Sequence, residues 1–274
     1  MSARRFVTEE MVAAFARDGV VLLPGLLAGH VEALAVDVDA NIANPSPLNR
    51  AYKPADGTAP FFQDYCNWQR FPAYRAAILD PVMAEAAALL MRSAKARVFH
   101  EHVLVKEPGS SMPTPWHQDQ PYYLVEGRQS VSFWVPLDPV PRAIALEYVK
   151  GSQTWGKDFR PQRFDGTPLY QGDTSEAVPD VEARREDWPV VGFDMQPGDA
   201  VAFDFRTLHG APANTTTNRR RAVSFRYVGD DARFASRLGR TSPPFPGHVF
   251  EDGAPFAGPD FPVAWPVAAG QPSG

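Results

Sequence analysis

The sequence predicts a mainly β protein with flanking helices, in which a helical N-terminal layer supports a double-stranded β-helix, the jelly-roll core of cupin-like proteins. Two sequence patterns along the 274 residues support this prediction. Helical patterns dominate residues 1–96, whereas short runs rich in Val, Phe and Tyr, separated by Gly, Pro and Asp, follow from residue 97. Many short strands joined by turns are typical of a barrel or sandwich.

Individual elements follow from local signals. Thr8 is suited to cap a helix over Glu9–Arg17, and Asp80 followed by Pro81 predicts another that runs to Met91. A further helix is expected over about His30–Ile42, with a short strand at 19–24 before it. The expected core strands are Val98–Val105, Val131–Leu137, Leu146–Val149, Val190–Phe193, Ala200–Phe205 and Ala222–Val228.

We expect a single domain over residues 1–274, because no repeat or low-complexity linker divides the chain. Its parts would be a mainly helical layer (1–96), the jelly-roll core (97–230) and a Pro-rich C-terminal tail packed on the core (231–274). Residues 150–189 form a long polar insertion, and insertions of this length in a compact domain are often functional.

Composition excludes several classes of protein. A net charge of −5 without a clustered basic surplus argues against binding to nucleic acid or to an anionic membrane. Cys66 is the one cysteine, which excludes an intramolecular disulfide and any Cys-based metal cluster. No run approaches 18 apolar residues, and the N-terminus lacks the apolar segment of a secretion signal. We therefore expect a cytoplasmic protein that acts on a small molecule.

The most informative motif is His117-Gln118-Asp119. On an extended segment, residues two apart project to the same face, so an imidazole and a carboxylate would point together. Alone, the motif also fits a loop histidine hydrogen-bonded to a nearby acid. A Pro-Gly-Asp turn at 197–199 feeds an apolar strand that ends at His209. A jelly roll brings such distant strand ends together, so His209 would complete a 2-His-1-carboxylate triad.

Arg220 opens the last predicted core strand, eleven residues after His209. Arg219 and Arg221 face the other way if this strand is regular. An inward arginine suits a bidentate grip on a carboxylate. The alternative is a surface cation at the start of a strand.

Several motifs, in order and at matching spacing, resemble the bacterial branch of the phytanoyl-CoA dioxygenase family. They are Lys106-Glu107-Pro108-Gly109, Thr114–Asp119, Pro197-Gly198-Asp199, His209–Asn214 and Arg220-Arg221-Ala222. The resemblance implies an Fe(II)- and 2-oxoglutarate-dependent dioxygenase that consumes O2. By it, His117, Asp119 and His209 would bind iron, Arg220 would bind the distal carboxylate of 2-oxoglutarate, and Trp134 would line the cosubstrate pocket.

Other residues near these motifs are weaker candidates. His102 would line the cosubstrate pocket or serve as a hydrogen-bonded barrel histidine, and Trp134 could be plain core. Gln120, Tyr122 and Tyr123 directly follow the metal motif and would face substrate or pack at the rim.

The predicted reaction is hydroxylation of a small or medium-sized metabolite with release of succinate and CO2. Halogenating relatives replace the carboxylate ligand with a small residue, whereas Asp119 is retained here. Two alternatives remain open at this point. One is a cupin-type metal dioxygenase without 2-oxoglutarate, and the other is a non-catalytic metabolite-binding protein on the same fold.

Overall fold

A computed structural model describes residues 2–53, 57–163, 166–245 and 249–267. The α-helices within these ranges are α1 (Glu9–Asp18), α2 (Val31–Ala43), α3 (Pro72–Ile78) and α4 (Pro81–Met91). The Thr8 hydroxyl accepts the Met11 amide at the start of α1, and the Asp80 carboxylate accepts two amides at the start of α4. The three predicted helices are thus confirmed, while α3 was not predicted.

Short strands fill the rest of the described chain. They are β1 (Val20–Leu23), β2 (Phe61–Tyr65), β3 (Ala96–Lys106), β4 (Thr114–His117), β5 (Val125–Glu126), β6 (Ser130–Pro136), β7 (Glu147–Val149), β8 (Val190–Gly192), β9 (Ala200–Phe203), β10 (His209–Ala211), β11 (Arg220–Val228), β12 (Arg233–Phe234) and β13 (Val263–Trp265). Each of the predicted strands has a counterpart among them, with ends shifted by a few residues.

Two antiparallel sheets organise the molecule. The larger has the strand order β1-β9-β6-β11-β3-β13, and β2 also pairs with β3; the smaller has the order β4-β10-β7-β8. β5 and β12 form a separate pair. This mainly β arrangement with added helices confirms the predicted fold class.

The helical layer packs on the large sheet. α4 contacts β3, β6, β11 and β13, and its alanines and methionines are buried in the main apolar core. At this junction the buried Tyr227 hydroxyl donates a hydrogen bond to the Ile78 carbonyl, 2.7 Å away. Nowhere in the described chain is a helix both long enough and apolar enough to cross a membrane.

Residues outside the predicted core also join the large sheet. The N-terminal part contributes β1 and β2, and the C-terminal tail contributes β13, which pairs with β3. β2 escaped prediction because its buried Gln63 and Asp64 are polar. The buried Asp64 carboxylate accepts hydrogen bonds from partners that are distant in sequence, including the Asn41 side-chain amide at 2.8 Å.

We expect Tyr227→Phe to lower the free energy of unfolding by about 1–2 kcal/mol, because the buried Ile78 carbonyl loses its partner. Denaturant unfolding measures the change. Tyr170→Phe is the matched control, since the buried Tyr170 hydroxyl has no partner among the described residues. Equal losses in the two variants would contradict the role of the Tyr227 hydrogen bond.

Candidate metal centre

The small sheet brings two histidines together. In the antiparallel pairing of β4 with β10, His117 lies directly opposite His209. Their ring centroids are 4.2 Å apart. Tyr148 of β7, the other neighbour of β10, stacks beside the His209 ring. Two residues that are far apart in the sequence therefore share one point at the strand ends.

Both imidazole rings are oriented by the backbone. His117 Nδ1 lies 2.8 Å from the Pro115 carbonyl oxygen, and His209 Nδ1 lies 2.9 Å from the Thr207 carbonyl oxygen. A carbonyl oxygen can only accept, so each Nδ1 carries the hydrogen, and in the neutral form of such a ring Nε2 is the nitrogen with the free lone pair. Such a contact to the second ring nitrogen is the usual way in which proteins fix a metal-binding histidine.

Asp119 reaches the same point through a turn. The sequence argument assumed an extended segment, whereas Asp119 has helical backbone angles (φ −73°, ψ −40°) at the start of a short 3-10 turn. Its amide and that of Gln120 donate to the Phe205 carbonyl, which anchors the turn. Asp119 Oδ1 lies 3.7 Å from His117 Nε2 and 4.0 Å from His209 Nε2.

The three side chains fit a metal ion. One ligand atom from each of His117, Asp119 and His209 lies within 4.8 Å of the others. Two imidazole nitrogens and one carboxylate oxygen are the donor set of non-haem Fe(II) oxygenases. The group fits iron by its chemistry as well as by its spacing.

Charge at the centre is set by burial and by one arginine. Burial would raise the pKa of Asp119, but Arg226 and the two histidines outweigh it and hold that pKa well below its usual range. Burial, together with the neighbouring His117, lowers the pKa of His209 to about 3. The carboxylate is therefore ionised and His209 neutral near pH 7, which are the states that bind a metal ion.

A cavity of about 440 Å³ opens in front of these ligands, within the range of small-molecule sites. Its walls come from both sheets. Four lining side chains lie in one row across β2, β3, β11 and β6, where the register aligns them: Tyr65, His102, Ser224 and Trp134. Among the described lining residues the basic side chains are four arginines and three histidines, and the single carboxylate is that of Asp119.

Arg220 projects into this cavity and is 5% exposed. Burial lowers its pKa to about 10, so the guanidinium remains charged. It donates to the Ile144 carbonyl, and no carboxylate in the described chain forms an ion pair with it. Arg219 and Arg221 instead pair with acids on the outer face, as the strand alternation predicted.

The two other predicted cosubstrate residues line the same cavity. Trp134 is buried beside Ser224. His102 stacks on Tyr65 with ring centroids 4.0 Å apart, and its Nε2 atom is buried without a partner in the described structure. Burial and the nearby Arg226 hold the pKa of His102 well below its usual range, so the ring is neutral.

The three predicted substrate residues have different positions. Tyr122 and Tyr123 line the cavity, but Tyr123 also packs in an aromatic cluster with Phe99 and Phe205. Gln120 points into the protein, where its amide donates to the Val125 carbonyl at 2.6 Å, and it is not among the described lining residues. The turn after Asp119 thus directs the Gln120 side chain away from the described cavity walls.

The long insertion forms a roof over the cavity. The roof segment, the described residues 150–163 and 166–189, lies between β7 and β8, and its lining residues are Gln162, Arg163, Leu169 and Val178. Two side chains hold it, one within the metal motif and one shortly after it. Gln118 donates to the Lys157 carbonyl and accepts the Phe159 amide, while the Tyr122 hydroxyl donates to the Gln162 carbonyl and accepts the Gln162 amide.

Sequence reasoning did not identify many of the lining residues, and Arg226, Gln63 and Tyr65 are three of these. Arg226 lies six residues after Arg220 on the same face of β11, so the two-residue period of a strand could have identified it. Gln63 and Tyr65 lie on the unpredicted strand β2, and no local signal marked them.

We expect Tyr122→Phe to loosen the roof segment while the ring that packs beside His117 is kept. Losing both hydrogen bonds to Gln162 should raise the open population about tenfold, which corresponds to about 1.4 kcal/mol. The rate of limited trypsin digestion at Lys157 and Arg163 measures this open population. Tyr170→Phe, within the same segment, should cleave at the wild-type rate; equal protection of all three proteins would contradict the roof contact.

Comparisons with known proteins agree with this geometry. A probable phytanoyl-CoA dioxygenase of Caenorhabditis elegans is 26% identical over 157 residues, which are 56% of this chain and 49% of that protein. The chain thus matches about half the length of this curated relative.

Solved structures match over more of the chain. The non-haem alpha-ketoglutarate-dependent carbocyclase SnoK from nogalamycin biosynthesis is 25% identical, with 96% of this chain and 98% of that chain covered and a TM-score of 0.75. The epimerase SnoN, in complex with Fe3+, alpha-ketoglutarate and nogalamycin RO, is 25% identical, with coverages of 93% and 98% and a TM-score of 0.74.

EctD from S. alaskensis with 2-oxoglutarate and 5-hydroxyectoine is 20% identical, with coverages of 92% and 86% and a TM-score of 0.68, and it shares the fold. The family model described as phytanoyl-CoA dioxygenase (PhyH) matches residues 15–222, which is most of the sequence. This chain belongs to the phytanoyl-CoA dioxygenase family.

Proposed function

We propose that this protein is an Fe(II)- and 2-oxoglutarate-dependent dioxygenase that hydroxylates a small or medium-sized metabolite and releases succinate and CO2. One observation carries the proposal. One cavity is lined both by the metal-ligand group of His117, Asp119 and His209 and by Arg220. Arg220 is buried and has no carboxylate partner among the described residues. Family membership supports the same class of reaction.

Arg220 is what favours 2-oxoglutarate as cosubstrate. A buried cation without a compensating anion is costly, and the described chain provides none. A carboxylate delivered by a ligand would compensate this charge and would be held by the guanidinium fork. A cupin-type dioxygenase without 2-oxoglutarate would leave Arg220 without a role.

The protein's contribution is to bind, orient and exclude water. Iron with 2-oxoglutarate and O2 supplies the oxidising chemistry, in which decarboxylation to succinate is coupled to oxidation of the substrate. His117, Asp119 and His209 would hold the iron, while Arg220 would hold the distal carboxylate. Trp134 and His102 form the wall between these two points, and the roof segment limits access of water.

The cavity also favours a substrate with an apolar body. Its lining is rich in aromatic side chains, including Tyr52, Tyr65, Trp116, Tyr122 and Phe203. A ligand of metabolite size would be largely enclosed in about 440 Å³. Asp119 provides the carboxylate ligand that halogenating relatives replace with a small residue, so we propose hydroxylation as the outcome.

Anaerobic addition of Fe(II) and 2-oxoglutarate to metal-free protein is expected to produce the weak visible charge-transfer band of a chelated 2-oxo acid. His209→Ala should abolish the band, because the metal loses one of its three protein ligands. Absorption spectroscopy makes the measurement without knowledge of the substrate. Iron binding without a band would favour the cupin-type alternative, and absence of iron binding would contradict the enzyme assignment.

Arg220→Ala is expected to raise the 2-oxoglutarate concentration for half-maximal band formation by about 30-fold or more, since a buried charge pair is lost. Arg219→Ala is the matched control, because this neighbouring arginine pairs with Glu107 and Asp39 on the outer face. Titration of the band compares the variants. Similar values for both would rule out the proposed grip on the distal carboxylate.

A further inference from the structure

The two carboxylate oxygens of Asp119 face different partners. Oδ1 faces the Nε2 atoms of His117 and His209, at 3.7 and 4.0 Å. Oδ2 faces Arg226, whose Nε and Nη2 atoms both lie 3.4 Å away. The guanidinium fork thus contacts Oδ2, whereas Oδ1 is the oxygen nearest to the two histidines.

Arg226 is fixed in place and has no other acidic partner. It lies in β11, opposite His100 of β3 and Ser132 of β6, so its backbone is paired on both sides. The residue is 4% exposed. Among the described residues, Asp119 is the one carboxylate within ion-pair distance of this buried cation. Each group of such a pair depends on the other for compensation.

We infer that Arg226 is a positioning residue that restricts Asp119 to a single metal-directed oxygen. Two imidazoles and one carboxylate oxygen occupy three positions of a six-coordinate ion and leave three open. A 2-oxo acid that chelates the metal would use two of these and would leave one for O2. A bidentate carboxylate, which metals such as Ca2+ accept, would remove that last position.

This inference rests on the proposed function but concerns a different property of the site, the number of open positions. A merely structural Arg226 would balance the charge of Asp119 and leave that number unchanged. The third nitrogen of the guanidinium, Arg226 Nη1, is buried and has no partner in the described structure. Arg226 therefore contacts Asp119 through Nε and Nη2 only.

The test counts the water molecules bound to Mn(II) in the protein without 2-oxoglutarate, by line broadening of the Mn(II) electron paramagnetic resonance signal in 17O-enriched water. The wild type is expected to hold about three, and Arg226→Gln about two, because Asp119 becomes free to bind with both oxygens. Arg221→Gln, which loses ion pairs to Asp138 and Asp39 on the outer face, is the matched control and should match the wild type.

A second readout is kinetic. In Arg226→Gln, the O2 concentration that gives half-maximal succinate release should rise about tenfold, whereas the requirement for 2-oxoglutarate should change little. If the Gln variant does not fold, Arg226→Lys keeps the buried charge but not the fork, and the same fall in bound water is expected. An unchanged water count in the folded variant would overturn the role of Arg226 alone. Failure of the wild type to bind Mn(II) would overturn the proposed metal site and this inference with it.

Discussion

The antiparallel pairing of β4 with β10 sets the register on which the metal-ligand group depends. A slip of one residue would turn His117 or His209 to the other face of the sheet. The strands approach closely at this point, because a side-chain Cβ at Gly210 would lie 3.0 Å from the Thr114 carbonyl oxygen. Glycine directly after His209 therefore permits the backbone contact that aligns the two histidines.

Charge in the cavity follows from the same strand geometry. Arg220 and Arg226 lie on one face of β11, and both are buried. Arg226 has its counter-ion within the chain, in Asp119, whereas Arg220 has none among the described residues. Arg226 is thus paired with a carboxylate of the proposed metal centre, whereas the buried charge of Arg220 favours binding of an anion from outside the chain. A strand with alternating side chains places both functions at a fixed separation.

The chemistry-bearing residues were predictable because they lie in local patterns. His117 and Asp119 share one short motif, and Arg220 follows from strand alternation after His209. Strand β2 was harder to predict. β2 carries buried polar residues whose partners are distant in sequence, so its alternation gives no apolar signal. The orientation of Gln120 was not predictable from local sequence, because the backbone turns at Asp119 and this turn is held by the distant Phe205 carbonyl.

The base and the roof of the cavity are built on different principles. The base consists of paired strands, where the two histidines are held by the pairing of β4 with β10 and Asp119 by a turn anchored on the Phe205 carbonyl. The roof segment has no strand of the two sheets and is held by side-chain contacts from Gln118 and Tyr122. Changes in the roof can therefore alter which molecule enters while the ligands stay in register. Because both contacts start from residues beside the metal ligands, the roof segment is anchored next to the metal centre.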